Sequence, residues 1–363
     1  MLYVLLTAAL LNLLLWAGLI RPWYRWQAPR PAAPAPPLSV VIAARNEAHH
    51  LTELLPQLLS LSYDGPFEVV LVLDRCTDDS VAIVRSFAAH NTRLRPVVID
   101  ATPEGWAPKK WALEQGIATA QHPHLVFTDA DCRPDTGWLG GMGAAFAEGA
   151  DLVLGLGPYT AHPGLLNAAI QYETFLTGML YLGAAAWGRP YMGVGRNLGY
   201  TRTFFDAAGG FAAHRDRLSG DDDLLVNAAG PGARVALLLS GDARTESAPE
   251  RSWGAWWRQK MRHLSAGTAY RKSTQLFLAL FHGAHAIFYL SLLLVLWETQ
   301  EMGWALGVWL SRNALLMVGL WRPFRKWNAR NWVFFFPGLD VLYLLYNLLL
   351  VPLSLVSQPK WKG

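Results

Sequence analysis

Short apolar runs alternate with amphipathic stretches between residues 38 and 131, and no other feature of the chain limits its fold as much. Ser39-Val40-Val41-Ile42-Ala43 reads as a buried strand, followed by Arg45-Asn46-Glu47 and an amphipathic helix through Leu51, Leu54, Leu55 and Leu58. Phe67 to Leu73 reads as a second strand ending in Asp74. A helix from Asp79 to Ala89, a strand from Leu94 to Ile99 and a helix from Lys109 to Ala120 come next. His124-Leu125-Val126-Phe127 then leads into Thr128-Asp129-Ala130-Asp131. Strands that alternate with helices predict an α/β domain with a parallel sheet covered on both faces. Ligands of such sheets bind beyond the carboxyl ends of the strands. Asp74 and the Asp129/Asp131 pair fall at such ends.

Two acids separated by a small residue end a buried strand poorly but clamp a metal well. Hard cations such as Mg²⁺ or Mn²⁺ take carboxylate oxygens and keep positions open for a diphosphate. A lone D-x-D also arises in ordinary turns, so the pair gains meaning from its surroundings. Asp74 can accept a hydrogen bond from a base or a ribose hydroxyl, or it can serve as a turn former or helix-start acid. Glu47 can touch a nucleotide or cap its own helix. Lys109 and Lys110 open a helix, where the dipole disfavours cations. An anionic ligand nearby accounts for them, and so does a solvated surface pair.

Composition speaks to the rest of the chain. Of 363 residues 52% are hydrophobic and 16% charged, which puts part of the chain in lipid. The 17 Trp agree, since Trp gathers at membrane interfaces. A net charge of +4 suits anionic head groups, and with no long Lys/Arg tract nothing points to nucleic acid. Cys76 and Cys132 offer neither a disulfide framework nor a zinc spacing and read as free thiols in a reducing compartment. Leu2 to Ile20 is apolar apart from Thr7 and Asn12. About nineteen residues at roughly 1.5 Å each cross the hydrocarbon core. No basic residue precedes this run, while Arg21, Arg25 and Arg30 follow it. That favours an anchor over a cleaved signal peptide and puts the next domain in the cytoplasm. The Pro/Ala-rich stretch after it reads as a stiff spacer lifting that domain off the bilayer.

V-V-I-A-A-R-N-E, V-L-D-R-C-T-D-D-S, G-W-A-P-K-K-W-A-L and F-T-D-A-D follow one another and resemble the membrane-bound family 2 glycosyltransferases. In that family a GT-A domain, Rossmann-like, binds a nucleotide sugar. The resemblance continues through Tyr191 to Tyr200 with Gly209-Gly210-Phe211, which is similar to the segment beside the acceptor site. Ser219-Gly220-Asp221-Asp222-Asp223-Leu224 resembles the family's G-(E/D)-D motif, and Gln259-Lys260-Met261-Arg262-His263 resembles Q-x-x-R-W.

The resemblance implies roles. Asp131 holds Mg²⁺ or Mn²⁺, with Asp129 on the metal or on the sugar and ribose. Glu47, Asp74, Lys109 and Gln259 join Asp129 in binding the nucleotide sugar, most readily a UDP-sugar. Asp222 is the general base of an inverting, in-line attack. Arg262 adds positive charge at the leaving diphosphate, and Asp221 and Arg196 stand on the acceptor side. The residues themselves say that three crowded carboxylates raise one another's pKa and can tune a base toward neutral pH. They also allow Asp221 to Asp223 merely to cap the helix that begins at Leu224. Two departures matter. His263 replaces the usual Trp, which weakens acceptor stacking and the alternative of a processive polysaccharide synthase. Leu73 stands where many relatives have the first acid of an Asp-Asp pair, so Asp74 alone carries nucleotide recognition.

The last third returns to the membrane. Trp253, Trp256 and Trp257 with Arg251, Arg258, Lys260, Arg262, Arg271 and Lys272 suit the leaflet surface. Leu276 to Trp297 can span, Glu298-Thr299-Gln300-Glu301 makes an acidic outer loop, and Trp304 to Leu320 can return. Trp321 to Arg330 is basic, hence inside. Val333 to Val356, interrupted by Pro337, Asp340 and Pro352, spans or forms a re-entrant hairpin, and Lys360 and Lys362 favour an inside end. Asp340 hints at function if it lies in lipid, while His282 and His285 read as packing residues. The expected divisions are an anchor at 1–21, a linker at 22–37, a GT-A domain at 38–250, an interfacial segment at 251–272 and a transmembrane region at 273–363. Few spans and a G-W-x-x-K-x-W-A segment similar to that of hopanoid and carotenoid glycosyltransferases suit a membrane lipid or polyprenoid acceptor. The setting expected is an inner membrane of bacterial type. A catalytically silent scaffold with this fold is the reading from another class.

Overall fold

The computed structural model describes residues 1–229, 232–298 and 301–356; Thr299, Gln300, Lys360 and Lys362 lie outside the described residues. Strands β1 (Leu38–Ala44), β2 (Phe67–Asp74), β3 (Leu94–Ile99) and β4 (His124–Phe127) are separated by helices Ala48–Leu59, Ser80–His90 and Pro108–Thr119. They pair in parallel, as the alternation predicts. Five further strands follow: β5 (Cys132–Pro134), β6 (Leu152–Gly155), β7 (Leu198–Thr201), β8 (Val235–Leu238) and β9 (Thr245–Ser247). The main sheet has the order β3-β2-β1-β4-β7-β6-β8, and β5 pairs with β9 apart from it.

Beyond these four strands the sheet becomes mixed at β7. This strand runs antiparallel to both β4 and β6. Its first residue, Leu198, therefore pairs with Phe127, the last residue of β4. The segment just before β7, Gly195–Asn197, is thereby delivered to the carboxyl ends of the parallel strands. The long helix Leu165–Ala186 between β6 and β7 lets the chain re-enter from that side.

The pleat sends neighbouring side chains to opposite faces, and each face has its own core. Val41, Val70, Val72, Leu125 and Phe127 pack on one side. Val40, Ile42, Val69, Leu71 and Val126 pack on the other. Helix Pro108–Thr119 can lie directly on the sheet because Gly116 has no side chain. A Cβ there would stand 2.6 Å from Val41 Cγ1.

Helices Leu2–Arg25 and Lys272–Trp297 and the stretch Trp332–Leu349 are long and apolar enough to cross a membrane. The run 304–320, expected to span, lies in helix Met302–Lys326, which carries Arg312 at its middle. Arg312 is buried and donates to Asn12 Oδ1 at 2.7 Å and to the Asp340 carboxylate. Tyr289 donates to Asp340 Oδ2 at 2.8 Å. These contacts tie the first helix to the three carboxyl-terminal ones. The stretch 332–349 ends in a continuous helix, Phe336–Val356, rather than a hairpin. Segment 26–37 has no helix or strand, yet it does not hold the domain at a distance: Trp26 Nε1 donates to Leu237 O of β8 at 2.7 Å.

Candidate active site

Four chain segments meet at the carboxyl ends of β1, β2 and β4. The first is the loop after β4. Among the described residues, the ligand atoms of Asp129, Asp131 and Cys132 lie within 4.8 Å of one another. Asp131 is exposed, Asp129 half-buried and Cys132 buried. Burial, with the two acids beside it, pushes the Cys132 thiol well above its usual range. It therefore stays protonated and leaves two carboxylates as the donors. Oxygen donors open to solvent on one side fit a hard divalent cation.

The second segment is the start of helix Pro108–Thr119. Lys109 Nζ stands 2.9 Å from Asp129 Oδ1 and 2.9 Å from Asp221 Oδ2. Burial works against its charge, but Asp129, Asp221 and Asp222 together hold the ammonium well above its ordinary pKa. Lys110, its neighbour, does something else. It is buried and donates to His214 O at 2.6 Å and Ser219 O at 2.9 Å, with His214 Nδ1 at 2.9 Å. Burial lowers it to about 8. Neither a ligand nor solvent explains Lys110; it pins the loop that leads into the acid triplet.

That triplet is the third segment. Gly220 turns the chain at φ +93°, a left-handed conformation glycine supplies without strain, and a Cβ there would also strike Leu224. Helix Asp223–Ala229 then begins. The three acids divide the work. Asp221 pairs with Lys109; burial pulls its pKa up, but that ammonium brings it below the usual carboxylate range. Asp223 accepts from Leu224 N at 2.8 Å and from Tyr270 OH at 2.6 Å, and burial lifts it to about 6. Asp222 accepts from Gly195 N at 2.7 Å and from Asp223 N at 2.7 Å. Burial, then Asp221 and Asp223, raise it to about 7. Asp222 and Asp223 thus each take one N–H at the helix start, and Asp222 has the pKa of a base that works near neutrality.

Gly195 belongs to the fourth segment. Beside it, Arg196 donates to Gly157 O at 2.9 and 2.6 Å and lies 4.4 Å over the Tyr159 ring. Its guanidinium braces the backbone beneath the site. Lys109, Phe127, Thr128, Gly195, Asp221 and Asp222 share one small cavity.

The remaining expected residues surround this centre. Glu47 stands ahead of helix Ala48–Leu59 with His50 Nδ1 at 2.6 Å. Burial raises its pKa, and Asp131 and Asp129 raise it further against the pull of His50. Asp74 ends β2 buried, with both oxygens held by Arg75 at 2.8 and 2.9 Å. A ribose or base would have to share that carboxylate with Arg75, its neighbour in sequence. Gln259 and Arg262 lie on helix Trp253–Ala266, whose Lys260 pairs with Glu173 of helix Leu165–Ala186. His263, on the same helix, is exposed. Desolvation of its ring, then the charges of Lys260, Arg262, Arg196 and Lys109, hold it well below the usual histidine range. Gly195 and Tyr270 were not legible as partners of the acids, nor His214 as the partner of Lys110, because these hydrogen bonds join segments distant in sequence.

Known proteins agree with this architecture. Residues 39–217 match the family described as Glycosyl transferase family 2. The chain is similar to Glycosyltransferase AglE of Haloferax volcanii, with 30% identity over 142 residues, 39% of this chain. That match spans 45% of the relative, under half its length. Among solved structures it is similar to the mannosyltransferase PcManGT from Pyrobaculum calidifontis in complex with GDP-Man and Mn²⁺. The TM-score is 0.56 at 18% identity, covering 95% of this chain and 98% of that one, a likeness of fold. Residues 39–217 thus form a glycosyl transferase family 2 domain, built on a GT-A-like mixed sheet.

Proposed function

We propose that this protein transfers a sugar from a nucleotide-diphosphate donor to a hydroxyl of a membrane lipid or polyprenoid, with inversion, at the cytoplasmic face. The observation that carries the proposal is Asp222. It is a half-buried carboxylate with a pKa of about 7, in one cavity with Lys109, which reaches Asp129. A base and a charged donor-side group thus stand close together.

In this reading Asp222 accepts the proton of the acceptor hydroxyl as that oxygen forms its bond to the anomeric carbon. The bond from the anomeric carbon to the diphosphate breaks on the opposite side. Gly195 N–H and Asp223 N–H hold the Asp222 carboxyl group in place. Lys109, released from Asp129 or shared with it, adds positive charge where the diphosphate leaves. Asp129 and Asp131 would hold Mg²⁺ or Mn²⁺, which when bound neutralises diphosphate charge. Arg262 supplies further charge to the diphosphate from helix Trp253–Ala266. Asp74, Glu47 and Gln259 take the nucleotide side. The helices long and apolar enough to cross a membrane support a lipid acceptor, because they keep the site beside a bilayer.

The test is nucleotide release by detergent-purified protein with lipid extract and Mn²⁺. UDP-sugars and GDP-mannose are offered in parallel, and Asp222→Asn serves as control. Lipid-dependent release that the variant loses supports the reading. A ladder of product lengths assigns a polymer synthase instead, and no turnover with any donor, lipid or metal assigns a silent scaffold.

A further inference from the structure

A cavity of about 540 Å³ opens where the first helix meets the sheet domain. Arg21, Arg25 and Trp26 line it from the helix end, and Glu148, Trp187 and Arg234 line it from the domain. It borders the beginnings of β6 and β8, at Ala150 and Arg234, so it lies at the end of the sheet opposite the acid site.

Its charge is unbalanced: three guanidinium groups face one carboxylate. Arg25 has no ion pair among the described residues. The Arg234–Asp151 pair is exposed and 3.4 Å long, so it is screened and weak. Arg21 lies 5.1 Å over the Trp187 ring, and Trp187 Nε1 donates to Gly18 O at 2.8 Å, which fixes that indole to the helix. The depth is marked independently. Arg21 and Arg25 end an apolar helix, and Lys326 lies 3.9 Å over the Trp26 ring at the end of another long helix. Indoles and cations at one level mark a lipid head-group layer.

We propose that this cavity binds the phosphate of an anionic phospholipid head group from the surrounding bilayer. Its phosphate meets Arg21, Arg25 and Arg234, and Glu148 sets an upper limit on the affinity. The site is independent of the transfer chemistry and can stand if the proposed reaction fails.

The test places the full chain in nanodiscs of phosphatidylcholine, with or without phosphatidylglycerol. Retained lipid is read by native mass spectrometry and thermal unfolding is followed in parallel. Wild type should retain phosphatidylglycerol in preference and unfold at a higher temperature with it. Arg25→Gln should lower retention about fivefold, the weight of one arginine near an anionic surface. Arg21→Gln/Arg25→Gln/Arg234→Gln should abolish the preference while unfolding like wild type in phosphatidylcholine. Glu148→Gln should bind more tightly than wild type, so the proposal stays testable if the triple variant fails to fold. Equal retention of both lipids by wild type, or no change in Arg25→Gln and Glu148→Gln, overturns it. An equal thermal shift with inorganic phosphate in phosphatidylcholine assigns the cavity to a soluble anion and also overturns it.

Discussion

The backbone N–H of Gly195 points at Asp222, 2.7 Å from Oδ2. It belongs to the segment that the reversed strand β7 brings to the site. It steadies a carboxylate whose burial, with Asp221 and Asp223 beside it, raises its pKa to about 7. A base acts only when deprotonated, so the rate should climb as pH rises through about 7. Asp222→Asn should lower kcat by about 10²–10⁴, and nucleotide release measured against pH checks both. The stability effect has the opposite sign. The folded state holds the Asp222 proton more tightly than the unfolded chain, whose Asp titrates near 4. Stability from this group is therefore full below that range and is lost as pH climbs toward 7. Thermal unfolding of Asp222→Asn should show a flatter pH dependence there.

Lys109 works against that rise, because its charge favours ionised Asp222. Lys109→Met should therefore move the rising limb of the pH–rate profile upward. It should also raise the donor KM, since Asp129 and Asp221 lose their shared cation. An unmoved limb in Lys109→Met would show that Asp222 is not the group titrating.

Asp129 and Asp131 should govern the response to metal. Asp131→Asn should raise the Mn²⁺ concentration needed for half-maximal rate by about tenfold or more. It should also reduce the thermal shift that Mn²⁺ gives without donor. A metal-independent rate in wild type after chelation would remove both acids from this role.

The sheet up to Asp131 was legible because Val40, Val41 and Ile42, and Val69 to Val72, form continuous apolar runs that only a doubly covered sheet accommodates. The later strands were not. β6 and β7 are four residues each, and the antiparallel entry of β7 follows from a helix whose path no local pattern records. In the site, the carboxylates could be read because acids at strand ends stand out. The division of Asp221, Asp222 and Asp223 among three different partners could not, because it depends on Lys109, Gly195 and Tyr270. Lys110 looked like its neighbour in sequence and proved to be a buried brace for the 214–219 loop.

Arg312 and Asp340 form a buried pair among the long helices. Arg312→Met leaves the Asp340 charge without its guanidinium and should cost about 3–5 kcal/mol. Arg312→Met/Asp340→Leu should cost much less than the two single changes summed. Thermal unfolding of the four proteins in the same lipid gives the cycle, and additive losses would show that the pair does not act as a unit.

Gly178 of helix Leu165–Ala186 faces Trp327, and a Cβ there would lie 2.2 Å from its Cζ2. An alanine gains about 1 kcal/mol in an open helix. Overpacking costs about 1–3 kcal/mol, so Gly178→Ala should lower the melting temperature. Gly140 has nothing within 4 Å of a built Cβ, and Gly140→Ala should not lower it.

One apolar cluster runs from Leu320 and Phe336, through Trp16 and Trp23 of the first helix and Phe175 of helix Leu165–Ala186, to Val41 and Leu125 of the sheet. Among the described residues there is no seam in it at which the enzyme could be cut from its support. A fragment of residues 38–250 would bare the flank of helix Leu165–Ala186 that meets Leu19 and Phe324. What the long apolar helices give this domain is one wall of its own interior.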